Sequence, residues 1–358
     1  MKSYPTLKGV IRTGLLFAAI AVVTAACAPP EITSAKLYMS NKDYANARQA
    51  LEEAISIYPD NAEAYYILAT LEALENNFEA AKQNWDRSAA LSPTFRTQAE
   101  RDIHNWWIQH YNDGYTFMQR QDLESAERSF QIATVLKPDD TGAWEGLAAV
   151  YGNQGMYDEA LAMYERVLEI DPEDVEARLN SGYVSYNSGN YADTVRFLEP
   201  LRDDMVSDPE FVEILAFAYI RLEDRAKARQ LYEDSLESDP ENLFTHMNLA
   251  IMYTESGQDE LALPHFLTVL ELNPFDTEAL NNIAITYMES EREQEAVPYL
   301  EKSKEIDPNN AITWLRLGGI YMRQGVAEQD QALIQKGQEY IQRAEEIQAL
   351  TGGNIPPV

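Results

Sequence analysis

From about Ile32 onward, apolar positions recur three and four residues apart, the spacing of one face of an α-helix. Small residues mark a longer period on top of it. Ala35, Ala69, Gly114, Ala148, Gly182, Ala216, Ala250, Ala284 and Gly318 form one series. Ala47, Ala81, Ala126, Ala160, Thr194, Ala228, Ala262 and Ala296 form a second. Both advance by 34 residues, except for one step of 45 before Gly114 and Ala126. Helices of a hairpin approach closely only where side chains are small, so each pair of marks predicts one helical hairpin. Tyr219, Tyr253, Tyr287 and Tyr321 at one position, and Trp85, Phe130, Tyr164 and Phe266 at another, then fill the space between hairpins.

The punctuation has the same period. Pro59, Pro93, Pro138, Pro172, Pro240, Pro274 and Pro308 are expected to end second helices, because proline cannot continue a helix. Asn61, Asp140, Asp174, Asn242, Asp276 and Asn310 follow two residues later as N-caps for the next first helix. Asp208 holds the same register, with Pro209 behind it in the first turn.

These residues resemble the tetratricopeptide repeat (TPR) family. Its pattern is visible in Trp144, Leu147, Ala148, Tyr151, Gly155, Tyr157, Ala160, Tyr164 and Pro172, and again in Trp314, Leu317, Gly318 and Tyr321. The resemblance implies an all-α fold, an α-solenoid of about nine helix hairpins in a right-handed superhelix with a concave groove. The expected array spans 31–350, with repeats near 28–61, 62–95, 107–140, 141–174, 175–208, 209–242, 243–276, 277–310 and 311–350. Residues 351–358 read as a flexible tail.

Three departures stand out. The 11 extra residues before Gly114 add about three turns and keep the faces in register, predicting a long first helix from about Gln98 to Gln119. Trp106 and Trp107 on it either pack against the second repeat near Trp85 or project as a second contact surface. Pro200 lies inside a second helix, which predicts an early end or a kink near Glu199. The last unit carries extra residues between Gly325 and Gly337, and its final helix is expected from Gln331 to Leu350.

The first 26 residues read differently. Lys2, Lys8 and Arg12 precede an apolar run from Leu15 to Val23, then Thr24, Ala25, Ala26 and Cys27. The run is shorter than the roughly 20 residues a bilayer span needs. A basic start, a short apolar run and small residues read as a secretory signal. Cys27 resembles the lipidated cysteine of bacterial lipoproteins, so residues 1–26 are expected to be a signal peptide and 27–30 a lipidated tether. Ala28 rather than Asp after the cysteine implies the outer membrane, with the chain facing the periplasm. Ordinary cleavage after Ala26 is the alternative.

Asp and Glu total 59 against 28 Lys and Arg, a formal charge of −31. Such a surface repels phosphate backbones and argues against nucleic acid. The single cysteine excludes an intrachain disulfide, and no metal motif, catalytic motif or cofactor loop occurs. His104 and His110 are six apart and do not share a helical face; His246 and His265 read as structural or surface residues. No enzyme, metal or cofactor is therefore expected.

What remains is the groove, which the family lines mainly with first helices. Carried onto this sequence, the groove falls at Tyr66, Tyr111, Tyr115, Tyr183, Tyr186, Phe217, Met247, Ile251 and Ile285. Asn112, Asn180, Asn248 and Asn282 recur at one position, where the resemblance implies hydrogen bonds to a peptide backbone. Glu145, Glu176, Glu210 and Glu213 make the same region acidic, so an apolar protein or peptide partner with basic flanks is favoured. A saline habitat is a second account of the acidity. The expected role is a lipid-anchored adaptor; a scaffold using its convex face, or a glycan-capturing subunit, are the alternatives.

Overall fold

A computed structural model describes residues 29–351, so Cys27, the expected leader and residues 352–358 lie outside the described residues. The chain divides into two compact units, 1–143 and 144–358. The first contains α1 (Pro30–Ser40), α2 (Tyr44–Ile57), α3 (Ala62–Leu74), α4 (Phe78–Leu91), α5 (Pro93–Gln119) and α6 (Leu123–Leu136). The division falls inside α7 (Thr141–Gln154). The second unit continues with α8 (Tyr157–Ile170), α9 (Val175–Ser188), α10 (Tyr191–Leu198), a 3-10 turn (Glu199–Leu201), α11 (Arg202–Met205), α12 (Pro209–Arg221) and α13 (Arg225–Ser238). It closes with α14 (Leu243–Glu255), α15 (Asp259–Leu272), α16 (Thr277–Glu289), α17 (Glu293–Ile306), α18 (Ala311–Glu328) and α19 (Gln331–Thr351). Each unit is an all-α stack of antiparallel hairpins, and no strand occurs among the described residues.

The local chemistry explains the breaks. Asn61, Asp174, Asp208, Asn242, Asp276 and Asn310 each accept a hydrogen bond from a backbone N–H in the first turn of their helix. At the turn inside each hairpin the chain enters the left-handed region every 34 residues, at Gly155, Gly189, Glu223, Gly257 and Glu291. The next N–H then reaches back to close the helix, as Asn190 N–H does to the Ser185 carbonyl at 2.9 Å and Gln258 N–H to Tyr253 at 2.8 Å. Glycine fits this backbone without strain; Glu223 (φ 63°) and Glu291 (φ 59°) do not have that freedom.

The small-residue marks sit where helices cross. Ala47, Ala81, Ala126, Ala160, Ala228, Ala262 and Ala296 are fully buried. A Cβ at Gly182 would lie 2.2 Å from the Leu198 side chain. In the last hairpin, a Cβ at Gly337 would lie 2.8 Å from the Gly318 carbonyl oxygen, so α18 and α19 touch backbone to backbone. Burying this apolar surface supplies the main stabilisation of such stacks, about 25 cal/mol per Å².

The departures resolve as follows. Pro200 ends α10 at Leu198 and forces a 3-10 turn before α11. Glu199 in that turn accepts a hydrogen bond from the Tyr219 hydroxyl and lies 3.8 Å from Arg202, which also pairs with Asp234. The long helix α5 has 27 residues, about 40 Å, and begins at Pro93 rather than near Gln98. Pro93 is thus the first residue of a helix as well as the stop after α4. Its missing N–H is one of those a first turn leaves unbonded anyway. Residues 93–106 therefore belong to the third hairpin.

Candidate protein-binding row

The candidate residues divide between the two units. In the first unit, Tyr66 packs at a tilt against Phe95, with ring centroids 5.4 Å apart, and its hydroxyl donates to Asp102 of α5. Burial, with Asp102 adding, raises the Tyr66 pKa above the usual phenol range. Tyr111 stacks on Trp107 at 5.1 Å and meets Tyr115 edge-on at 5.0 Å; both rings meet Phe130. Asn112 is exposed beside them.

Trp106 and Trp107 are half-buried on the same helix. Trp106 rests edge-on against Phe78 at 5.3 Å, and His110 does so at 4.8 Å. Both indoles join the cluster built around Phe78, Trp85 and Leu136. The extra turns of α5 thus pack on the second repeat. Lys137 sits over Trp107 at 4.0 Å and reaches the Nδ1 of His104 at 2.8 Å, and His104 stacks on Trp107. Burial lowers the Lys137 pKa, with Asp140 opposing.

In the second unit the candidates form a row along consecutive first helices. Asn180, Tyr183, Tyr186, Phe217, Met247, Asn248, Ile251, Asn282 and Ile285 are all half-buried. Tyr183, Met247 and Ile251 pack down onto the core of Leu215, Tyr219, Leu249 and Phe266. Tyr186 of α9 meets Phe217 of α12 edge-on at 5.6 Å. Asn282 of α16 donates to the Met247 sulfur of α14 at 3.6 Å, and Thr254 meets Thr286 at 3.1 Å, so those two helices lie side by side. Asn248 donates to the Phe244 carbonyl within its own helix, which leaves its amide oxygen unengaged among the described residues.

The row is acidic. Burial pushes Tyr183 up to about 12, with Glu210 and Asp208 adding, and Tyr164 up to about 12, with Glu145 and Glu176 adding. Burial and Glu213 raise Tyr232 in the same direction. The carboxylates at groove positions therefore act on rings of three successive hairpins. Arg316 of α18 is half-buried and has no carboxylate partner among the described residues; burial lowers its pKa.

Sequence reasoning missed three features because each joins side chains from different helices. Tyr191 and Arg221 complete a cluster with Tyr186 and Phe217. His246 and His265 bring their Nδ1 atoms to 2.8 Å, and His246 Nε2 lies 3.0 Å from the Pro240 carbonyl. Glu301 joins Lys304, Lys336 and the Tyr321 hydroxyl between α17 and the last hairpin. Among the described residues no group of three His, Cys, Asp or Glu is arranged to hold a metal ion, and no helix is long and apolar enough to cross a membrane.

Residues 38–84, 142–174, 215–276 and 277–310 each match a tetratricopeptide repeat profile. Four stretches of this chain are tetratricopeptide repeats. Among known proteins, the chain is 33% identical over 127 residues to ER membrane protein complex subunit 2 of Xenopus tropicalis, covering 35% of this chain and 43% of that protein. It is 27% identical over 217 residues to Superkiller protein 3 of Schizosaccharomyces pombe, covering 58% of this chain and 15% of that one. The chain thus spans less than half the length of these relatives. Among solved structures it is similar to YrrB, described as a TPR protein with an unusual peptide-binding site, at 21% identity and a TM-score of 0.44, over 51% of this chain and 95% of that one. A TPR protein from Parabacteroides merdae gives 19% identity and a TM-score of 0.46, over 70% of this chain and 100% of that one. Likenesses of this degree carry no functional argument.

Proposed function

We propose that this chain is a non-enzymatic adaptor that holds a segment of a partner protein along the first-helix row of residues 175–290. The observation that carries the reading is the row itself. Tyr183, Tyr186, Phe217, Met247, Ile251 and Ile285 are half-buried, so their inner atoms are fixed by the core while their outer atoms stay available. Rings and branched chains held this way offer contact area at little further entropic cost. Asn180, Asn248 and Asn282 add donor and acceptor groups in one register. The carboxylates that act on Tyr164, Tyr183 and Tyr232 favour a segment with basic flanks.

The addressing part of the proposal rests on residues 2–27. Cys27 would carry a lipid that anchors the chain in the bacterial cell envelope, at the outer membrane and facing the periplasm. The scaffold alternative loses support at Trp106 and Trp107, whose rings lie against the second repeat. Nothing in the row favours a glycan over a protein segment.

The test is a cross-linked pull-down from envelope fractions with wild type and a Tyr183→Ala, Phe217→Ala, Met247→Ala variant of unchanged helicity. A partner recovered only by wild type supports the row. A partner recovered equally by both contradicts it. Cys27→Ser tests the anchor separately: protein that stays membrane-bound after this change refutes lipidation at Cys27.

A further inference from the structure

Tyr186, Tyr191 and Phe217 form a three-ring cluster at the seam between two hairpins. Their centroids are 5.6 Å, 5.7 Å and 6.3 Å apart, and each pair meets edge-on. The guanidinium of Arg221 lies over this cluster, 5.0 Å from the Tyr191 centroid and 5.8 Å from that of Phe217. The rings are half-buried and Arg221 is exposed.

The setting of Arg221 is unlike that of the other stacked cations. Among the described residues, each other cation over a ring is also held by a second group. Arg166 pairs with Glu169, Arg292 with Glu295, and Lys304 and Lys336 with Glu301, while Lys137 meets His104. Arg87, Arg196 and Lys227 likewise have carboxylate partners. Arg221 has neither an ion pair nor a hydrogen bond to its guanidinium among the described residues, in a chain with 59 acids against 28 bases. Its neighbours in register are Glu255 and Glu289. A cation in the last turn of α12 suits the helix dipole, but that preference is met equally by a side chain in water. The seat on the rings is supplied by the rings alone.

We propose that the Tyr186–Tyr191–Phe217 cluster is a subsite for one arginine or lysine side chain of the bound protein segment, and that Arg221 occupies it until the segment arrives. The inference rests on the first-helix row as the binding surface and names one chemical feature of its partner. The rings attract a cation through their electron-rich faces, and the chain's 59 acids against 28 bases favour a cation over a neutral side chain at its surface. Arg221 is held by no directional bond, so an incoming guanidinium displaces it without leaving a buried donor unsatisfied. Displacement lowers the apparent affinity in wild type, because only the vacated state is competent.

The experiment selects a phage library of random nonapeptides on the whole chain. Binders are then checked against a Met247→Ala, Ile251→Ala variant. Selected peptides are synthesised with arginine replaced by citrulline, a neutral isostere, and affinities are read by fluorescence anisotropy. The account expects arginine or lysine at one fixed position and at least a tenfold loss with citrulline. That loss disappears in a Tyr191→Leu, Phe217→Leu variant of unchanged helicity. Arg221→Ala tightens the arginine peptide about threefold and leaves the citrulline peptide unchanged. Binders that need Met247 and Ile251 but tolerate citrulline overturn the subsite and leave the row standing. A citrulline loss that persists in the ring variant also overturns the subsite. No binder sensitive to Met247 and Ile251 overturns the row and the subsite together.

Discussion

The aromatic cluster of α4–α6 and that of α9, α10 and α12 are built from the same parts, several rings and one cation. In the first, Phe78 and Trp85 are fully buried, Trp106 and His110 close over Phe78, and Lys137 is bonded to His104. In the second, all three rings stay half-buried and the Arg221 guanidinium lies over two of them with no ion pair or hydrogen bond among the described residues. Ring count does not separate packing from a binding surface. The difference lies in whether the outer ring atoms are covered and whether the cation has a second partner. A cluster whose every member is engaged holds hairpins together; one with an unengaged cation has a part that can be exchanged.

The contrast breaks most directly in stability. Phe78→Ala removes a fully buried ring and is expected to cost about 3–5 kcal/mol, whereas Phe217→Ala, whose ring is half-buried, should cost about 1 kcal/mol. Urea titrations followed by helicity, read for the first unit and the second separately, measure both; equal losses would erase the distinction. The cations come next. Lys137→Ala loses a partly desolvated ring contact and a hydrogen bond and is expected to cost about 1 kcal/mol. Arg221→Ala should change stability by less than about 0.5 kcal/mol. A loss at Arg221 as large as at Lys137 would make it a structural residue.

A modest gain is expected two residues from Arg221. Glu223 sits at φ 63°, so Glu223→Gly should stabilise by roughly 0.5–1 kcal/mol, seen as a raised melting temperature. The pH response sharpens the comparison further. Burial lowers the pKa of His110 below its ordinary 6.5, with Asp113 opposing. The unfolded chain then binds the proton more readily, so this contribution is present above pH 6.5 and is lost as the pH falls through the folded value. The first cluster is expected to weaken between pH 7.5 and 5.5. His110→Gln should remove that part of the dependence, and an unchanged slope would contradict the assignment.

Much of the fold was legible because it is written in local rules with a long period. The alanines and glycines at 34-residue steps, the caps from Asn61 to Asn310, and Pro200 each act through their own backbone or one close neighbour. The start of α5 was misplaced because Pro93 has two allowed roles, and the sequence pattern around it favoured only the stop. The site was less legible. Helical register gives Tyr186 and Phe217, but Tyr191 comes from a second helix and Arg221 from the end of a first, and only the crossing of hairpins joins them. His246 and His265 meet for the same reason, 19 residues apart on facing helices of one hairpin. The acidity was plain in the composition; its action on Tyr164, Tyr183 and Tyr232 required the packed rings.

The central claim is that the first-helix row of the second unit receives the partner. A photo-cross-linking residue placed at Ile251 on α14, and in a separate variant at Leu267 on α15, tests it in intact cells. Ile251 is in the row, and Leu267 is 38% exposed on the second helix of the same hairpin. The account predicts a discrete protein adduct from position 251, reduced by Phe217→Ala, and none from position 267. An adduct from 267 with none from 251 would contradict it and move the binding surface to the second helices.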